Sequence, residues 1–256
     1  MNIAVVTLFP ELVVAVGESG IPRIALEQGA LVLSTFSPRD FATNRHRTVD
    51  DRPFGGGPGM LMIPETLSLA IDAAKASAPN ARVVLMSPQG GRLNRAKVQA
   101  LAELPALILV CGRYEGIDQR VVDVLVDEQL SIGDYVLSGG ELGAMVVIDA
   151  IARRLPGVLG DAESVVQDSF ETDLLDHPHY TRPDQWQGHE VPLVLRSGNH
   201  RAIDEWRMQQ RLSGTARVRP DLFYEHGLDE RARALLTAEW QHAAETNDKL
   251  GRLSDE

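Results

Sequence analysis

A chain of 256 residues, 44% hydrophobic and 24% charged, has the composition of a folded globular protein, which excludes a disordered tail or a fibre. Its formal charge of −11, from 25 basic and 36 acidic side chains, argues against a non-specific nucleic-acid coat or a binder of anionic membranes, but not against a local basic strip. The single cysteine, Cys111, excludes an internal disulfide framework and fits a reducing cytoplasm, and no apolar run approaches the ~20 residues of a membrane span.

Residues 1–6 read as a strand, without the basic start and long apolar stretch of a secretory leader. Residues 31–35, 83–86 and 107–111 are further short aliphatic runs of strand length. Between them lie segments of helical period. One starts at Pro64 and places Leu67, Ala70, Ile71 and Ala74 on one face. Another starts at Asn94, a good N-cap, and a third covers residues 117–126. Strands alternating with helices predict an α/β fold, a parallel sheet covered on both faces. Ser138 and Glu141, three apart, predict a capping box for a helix reaching Ala150.

After Arg154 the pattern breaks at residues 155–160, and an acidic connector runs to Thr172. Past His189 the chain reads as mostly helical. Asn199 caps a segment that carries Ile203, Trp206 and Leu212 and is expected to end at Gly214. A last helix is expected from Asp229 to about Asn247, with Trp206 and Trp240 as core residues. The expected organisation is an α/β domain over 1–160, a linker over 161–172 and a small helical domain over 173–256.

Glycine-containing loops carry the functional signal. Residues 50–60 are dense in glycine and proline and lie beside Arg45, Arg47 and Arg52, so bare backbone there can approach a partner closely. Residues 87–91 and 111–116 each follow a predicted strand, where ligands bind in open α/β sheets. Neither loop is a dinucleotide fingerprint, and no Gly-Lys pair exists to make a P-loop. Gly139 and Gly140 leave the amides of the next helix open to an anionic or polar group. These turns can converge on one pocket, but spacing alone does not name its ligand.

Five motifs do. Arg52-Pro53-Phe54-Gly55-Gly56-Gly57-Pro58-Gly59-Met60, Ser87-Pro88-Gln89-Gly90, Cys111-Gly112-Arg113-Tyr114-Glu115-Gly116, residues 132–141 (Ile-Gly-Asp-Tyr-Val-Leu-Ser-Gly-Gly-Glu) and Asp176-His177-Pro178-His179-Tyr180-Thr181-Arg182-Pro183 occur in this order. Together they resemble the bacterial tRNA (guanine-N1)-methyltransferases of the trefoil-knot (SPOUT) superfamily, from Met1 to about Trp240. The resemblance implies a deep trefoil knot over residues 85–137, an exception to the rule against threaded chains. It implies a homodimer with the active site at the subunit interface, and S-adenosylmethionine bound bent in the knot. The cofactor would be held by Leu85, Met86, Ser87, Pro88, Gln89 and Gly90, by Gly112, Tyr114, Glu115 and Gly116, and by Ile132, Gly133, Asp134, Tyr135, Val136, Leu137, Gly139 and Gly140. The sequence departs from the family pattern at Gly143, usually proline, and at Met86, often leucine.

The implied substrate is the guanine immediately 3′ of the anticodon in tRNA, methylated at N1. The N1 proton must leave, and the resemblance makes Asp168 the general base and Arg153 the cation near O6. Read alone, Asp168 followed by Glu171 could simply cap a short helix, and Arg153 could be a solvated helix-end arginine, as Arg154 beside it is expected to be. Ser169 and Asp176 are further candidates to hold the tRNA. So are Arg45, His46, Arg52 and Gly59, and Asn199, His200 and Arg207 in a segment whose arginines (196, 201, 207, 211, 217 and 219) can form a phosphate-facing strip. The resemblance brings a dependence on a divalent ion such as Mg2+, but no dedicated ligand cluster is evident. His177 and His179, two apart across a proline, read as a turn, and Glu115 is only a weak candidate to place an ion. Cys111 reads as core rather than as a nucleophile. Two rival readings stand beside this one. A related knot methyltransferase acting on another RNA would lack the Asp168 linker and the 177–183 motif, and a non-catalytic RNA-binding module would need no cofactor pocket.

Overall fold

The computed structural model describes residues 1–160, 168–227 and 232–236. The chain forms two compact units, Met1–Ala162 and Glu163–Glu256. The first contains β1 (Asn2–Val6), α1 (Pro10–Val14), α2 (Gly20–Glu27), β2 (Val32–Phe36), β3 (Asp50–Asp51), β4 (Leu61–Met62), α3 (Pro64–Ser77), β5 (Arg82–Arg92), α4 (Arg95–Ala102), β6 (Ala106–Cys111), α5 (Gln119–Leu125), β7 (Glu128–Ser131) and α6 (Glu141–Ala152). Its sheet has five parallel strands in the order β2-β1-β6-β5-β7.

The central strand, β6, is buried at every residue, so it needs apolar side chains on both faces. Leu107, Leu109 and Cys111 join a cluster with Ile3, Val5 and the α6 residues Ala144, Val147, Ile148 and Ile151. Ile108 and Val110 point the other way, into a cluster with Ala4, Val6 and the α3 residues Leu67, Ala70, Ile71 and Ala74. Helix starts follow local chemistry. Pro64 occupies the first turn of α3, and Asn94 Oδ1 accepts the Lys97 amide at 2.9 Å at the start of α4.

Several expectations fail for physical reasons. β2 lies one residue later than read. Strand β7 went unread because its first half is polar. It is an edge strand, and the Glu128 carboxylate pairs with Lys97 (2.5 Å) and Arg82 (3.2 Å). The capping box does not form. Gly140 is the N-cap of α6 with no side-chain cap, and Glu141 faces inward instead.

The segment after Met86 is the unusual part of the sheet. Met86 pairs with Leu130, residues 87–90 leave the ladder, and Gly91 returns to pair with Leu130 again before Arg92 meets Ser131. Gly90 makes this possible by close approach. A Cβ there would lie 2.3 Å from the Gln129 carbonyl carbon and the Leu130 nitrogen.

The second unit contains β8 (Gln185–Trp186), β9 (His189–Glu190), α7 (Leu193–Arg196), α8 (His200–Val218) and α9 (Pro220–His226). Asn199 caps α8 through the Ala202 amide at 3.2 Å, as expected. Gly214 does not end α8. Burial of Leu212 and Thr215 on either side of it outweighs the cost of about 1 kcal/mol for an interior glycine. A core forms from Leu174, Leu212 and Ala232, with Met208, Phe223, Leu235 and Leu236 packed against it. Thr215 Oγ1 accepts the Leu175 amide at 2.8 Å and ties this segment to α8. Of the expected last helix, residues 232–236 are helical, while Asp229, Trp240 and Asn247 lie outside the described residues, as do residues 161–167 of the expected linker. Among the described residues no helix is long and apolar enough to cross a membrane.

The crossing at Gly90 has a direct test. Gly90→Ala should lower unfolding stability on the order of 1–3 kcal/mol through overpacking against fixed backbone. Gly91→Ala, with nothing within 4 Å of the added carbon, should change it by less than about 0.5 kcal/mol. Equal melting temperatures for the two variants would show that the close approach is not limiting.

Candidate active site

The break in β5 after Met86 and the carboxyl ends of β6 and β7 open on one cavity of about 300 Å³, at the small end of the range for ligand sites. Its walls come from residues 85–89, from Gly112 to Ile117, from Gln129 to Gly133 and from Tyr135 to Gly140. Every residue that the resemblance assigned to the cofactor lines it except Gly90 and Asp134. Gly90 is committed to the backbone of β7, and Asp134 forms an exposed ion pair with Arg92 at 2.5 Å. Ser138, within the run 132–140 assigned to the cofactor, also lines it; Arg113, Ile117, Gln119, Val122, Gln129, Leu130, Ser131 and Gly143 line the cavity as well and were not expected. Ser131 has a readable reason after the fact. Its hydroxyl accepts the Gly133 amide at 3.2 Å and donates to the Gly133 carbonyl at 3.1 Å, which shapes the turn.

A buried polar cluster holds these loops in register. Glu141, 1% exposed, accepts a hydrogen bond from Thr7 Oγ1 at 2.8 Å on one oxygen, and Arg113 Nε lies 2.9 Å from the other. Arg113 also donates from Nη1 to the Ser138 carbonyl at 3.2 Å and lies over the Phe9 ring at 4.2 Å. Gly139 leaves the space that Arg113 fills, since a Cβ there would stand 2.2 Å from Nε. The Gly140 amide is not open to a ligand. It donates to the Gly112 carbonyl at 3.0 Å, and a Cβ at Gly140 would press on the Cys111 Cα at 2.8 Å. Cys111 itself is fully buried, and burial first, then the nearby Glu141 charge, pushes its thiol well up from the ordinary range. That agrees with a core role.

Met86 and Gly143, where the sequence reading expected departures from the family, meet in space. A Cβ at Gly143 would lie 3.0 Å from the Met86 terminal methyl, so the flexible thioether fills room that a larger residue at 143 would take.

The glycine-rich loop between β3 and β4 reaches the cavity rim. The Glu115 amide donates to the Met60 carbonyl at 3.0 Å, and Gly59, at φ +78°, leaves room for the Glu115 side chain. Tyr114, at φ +61°, has its hydroxyl pushed up from its ordinary pKa by burial and by Asp50. Arg45, His46 and Arg52 are exposed, whereas Arg47 is engaged by Asp40 at 2.5 Å. Arg153 is the C-cap residue of α6. Arg154 is not simply solvated, since it donates to Gln99 Oε1 at 2.7 Å.

In the second unit, among the described residues, no helix starts at Asp168. Its carbonyl accepts the Glu171 amide at 3.3 Å in an irregular turn. Ser169 Oγ accepts the Asp176 amide at 2.9 Å. Asn199 spends its side-chain oxygen on the helix cap, and His200 beside it is exposed. The arginine strip is largely compensated. Arg196 meets Asp184 (3.0 Å), Arg201 meets Glu205 (3.1 Å), Arg207 lies 3.9 Å from Asp204, and Arg219 meets Asp221 (2.5 Å). Trp206 is half-buried and stands outside the core, 6.4 Å from the His177 ring and 6.2 Å from Tyr180. Asp176, His177 and His179 are brought together, which sequence spacing had read as a plain turn.

A model of the tRNA (Guanine-1)-methyltransferase TrmD family matches residues 1–225. The chain belongs to this family. A protein of Methylococcus capsulatus named tRNA (guanine-N(1)-)-methyltransferase is 59% identical over 223 residues, covering 87% of this chain and 89% of its own length. Similarly named proteins of Cupriavidus necator (53% identical, covering 94% of this chain and 95% of theirs) and Halorhodospira halophila (55%, 92% and 89%) agree. Membership in a family of enzymes sets aside the non-catalytic module and the knot methyltransferase of another RNA.

Two outcomes follow from the buried cluster. Arg113→Ala leaves the Glu141 carboxylate buried with only Thr7 and should destabilise the first unit by about 3 kcal/mol, measured by denaturant unfolding. Cys111 should resist a disulfide exchange reagent at pH 8 in the native protein and react only on unfolding, because burial disfavours the thiolate. Rapid native labelling would contradict its packing.

Proposed function

We propose that the chain transfers a methyl group from S-adenosylmethionine to N1 of the guanine immediately 3′ of the anticodon in tRNA. Family membership across both units carries this reading, and the cavity at the strand ends supports it. The cavity residues suit such a cofactor. Leu85, Pro88, Ile132 and Leu137 supply apolar walls, the surrounding turns supply backbone polar groups, and Glu115 supplies a carboxylate that favours a cation. The bound cofactor supplies an electrophilic methyl on a sulfonium. In this reading residues 85–137 form a trefoil knot, and its tight loops act as a preorganised cradle.

Guanine N1 is protonated at neutral pH and is a poor nucleophile. Asp168 takes that proton as the base, and Arg153 stabilises the electron density that grows on O6. Ser169 and Asp176 hold the target nucleotide. Arg45, His46, Arg52 and Gly59 from the first unit, and Asn199, His200 and Arg207 from the second, contact the rest of the tRNA. The enzyme works in the cytoplasm as a homodimer, with residues 1–160 as the cofactor domain, 161–172 as the linker and 173–256 as the tRNA-binding domain. Each linker serves the cavity of the other subunit. Val136, 84% exposed beside the cavity, and Leu142 and Val146 on the outer side of α6 are apolar surface that a second subunit would cover. Mg2+ acts near Glu115.

Asp168→Asn should bind S-adenosylmethionine in calorimetry nearly as the parent does and lose methyl transfer to total tRNA by about 100-fold or more. Nucleoside analysis should find 1-methylguanosine as the product of the parent enzyme. A different methylated nucleoside would overturn the substrate, and full activity of the variant would overturn the base.

A further inference from the structure

Asp176, His177 and His179 bring one carboxylate oxygen and two imidazole nitrogens within 4.8 Å of one another. His179 Nε2 lies 2.9 Å from one Asp176 oxygen, and His177 Nε2 lies 3.8 Å from the other. Bonds of about 2.0–2.1 Å to a tetrahedral ion put neighbouring ligand atoms about 3.3 Å apart. The observed separations run to the two different oxygens of the same carboxylate and are of the size of that edge.

The groups around the ligands hold them in place. The His177 side chain is 8% exposed, and its Nδ1 lies 3.1 Å from the Pro178 carbonyl. With Nδ1–H donating there, the neutral ring turns the lone pair of Nε2 toward Asp176, the arrangement that outer partners impose on metal-bound histidines. The His177 amide donates to Asp176 Oδ1 at 2.7 Å, and the Asp176 amide donates to Ser169 Oγ at 2.9 Å. Pro178 stiffens the step between the two histidines. His179, 70% exposed, leaves one side open to solvent.

We propose that Asp176, His177 and His179 form a three-ligand site for a divalent transition ion of the Zn2+ or Co2+ class, with water in the open position. Two imidazoles and one carboxylate suit these borderline ions, whereas Mg2+ prefers a shell of oxygen. The site stands whether or not the chain methylates tRNA, and it uses no residue that lines the cavity of the first unit.

The test is titration of tag-free, chelator-stripped full-length protein with CoCl2, without RNA or methyl donor. Visible d–d absorption should saturate at one Co2+ per chain and be displaced by Zn2+. His179→Ala removes a mostly exposed ring paired with Asp176, so its melting temperature should change by no more than a few degrees, and its Co2+ affinity should fall by about tenfold or more. Asp176→Asn should behave likewise. Absence of saturable absorption, or titrations of both variants that superimpose on the parent, would overturn the site.

Discussion

One buried carboxylate organises the first unit. Glu141 is the first residue of α6, yet it points into the protein, where Thr7, just past β1, hydrogen-bonds one oxygen and Arg113 from the loop after β6 forms an ion pair with the other. Through Arg113 it also reaches the Ser138 carbonyl. Three segments far apart in sequence therefore share one polar centre at the carboxyl edge of the sheet. Such a cluster is costly to desolvate and costly to break, so its contribution lies in specifying one arrangement of the cavity walls as much as in stability. The small residues around it follow. Gly139 yields to the guanidinium, and Gly140 lets its own turn sit against the backbone of Cys111.

Much of the first unit was legible because its signals are local. Aliphatic runs marked β1, β5 and β6, and Pro64 and Asn94 marked helix starts. The motif residues of the cavity were legible as motifs. What escaped depends on distant partners. Glu141 reads locally as half of a capping box with Ser138, and only a bond spanning 134 residues to Thr7 shows its use. Strand β7 escaped because its polar start is explained by Lys97 and Arg82, which belong to other elements. The cluster of Asp176 with two histidines escaped because spacing across a proline does not give ring orientation.

The electrostatics of the second unit are also sharper than a count of arginines. Arg201 with Glu205 and Asp204 with Arg207 are helix-spaced pairs of low individual worth, easily exchanged for a phosphate. A chain at −11 that masks its arginines in this way has little attraction for bulk RNA. Association with a polyanion then requires each masking acid to be displaced in turn, which favours a partner of matching shape over mere charge.

The contact between Met86 and Gly143 bears on what the cavity can admit. Both residues line it, one unbranched and soft, the other without a side chain. At this wall a small added substituent on a ligand meets a thioether that can swing rather than a fixed surface.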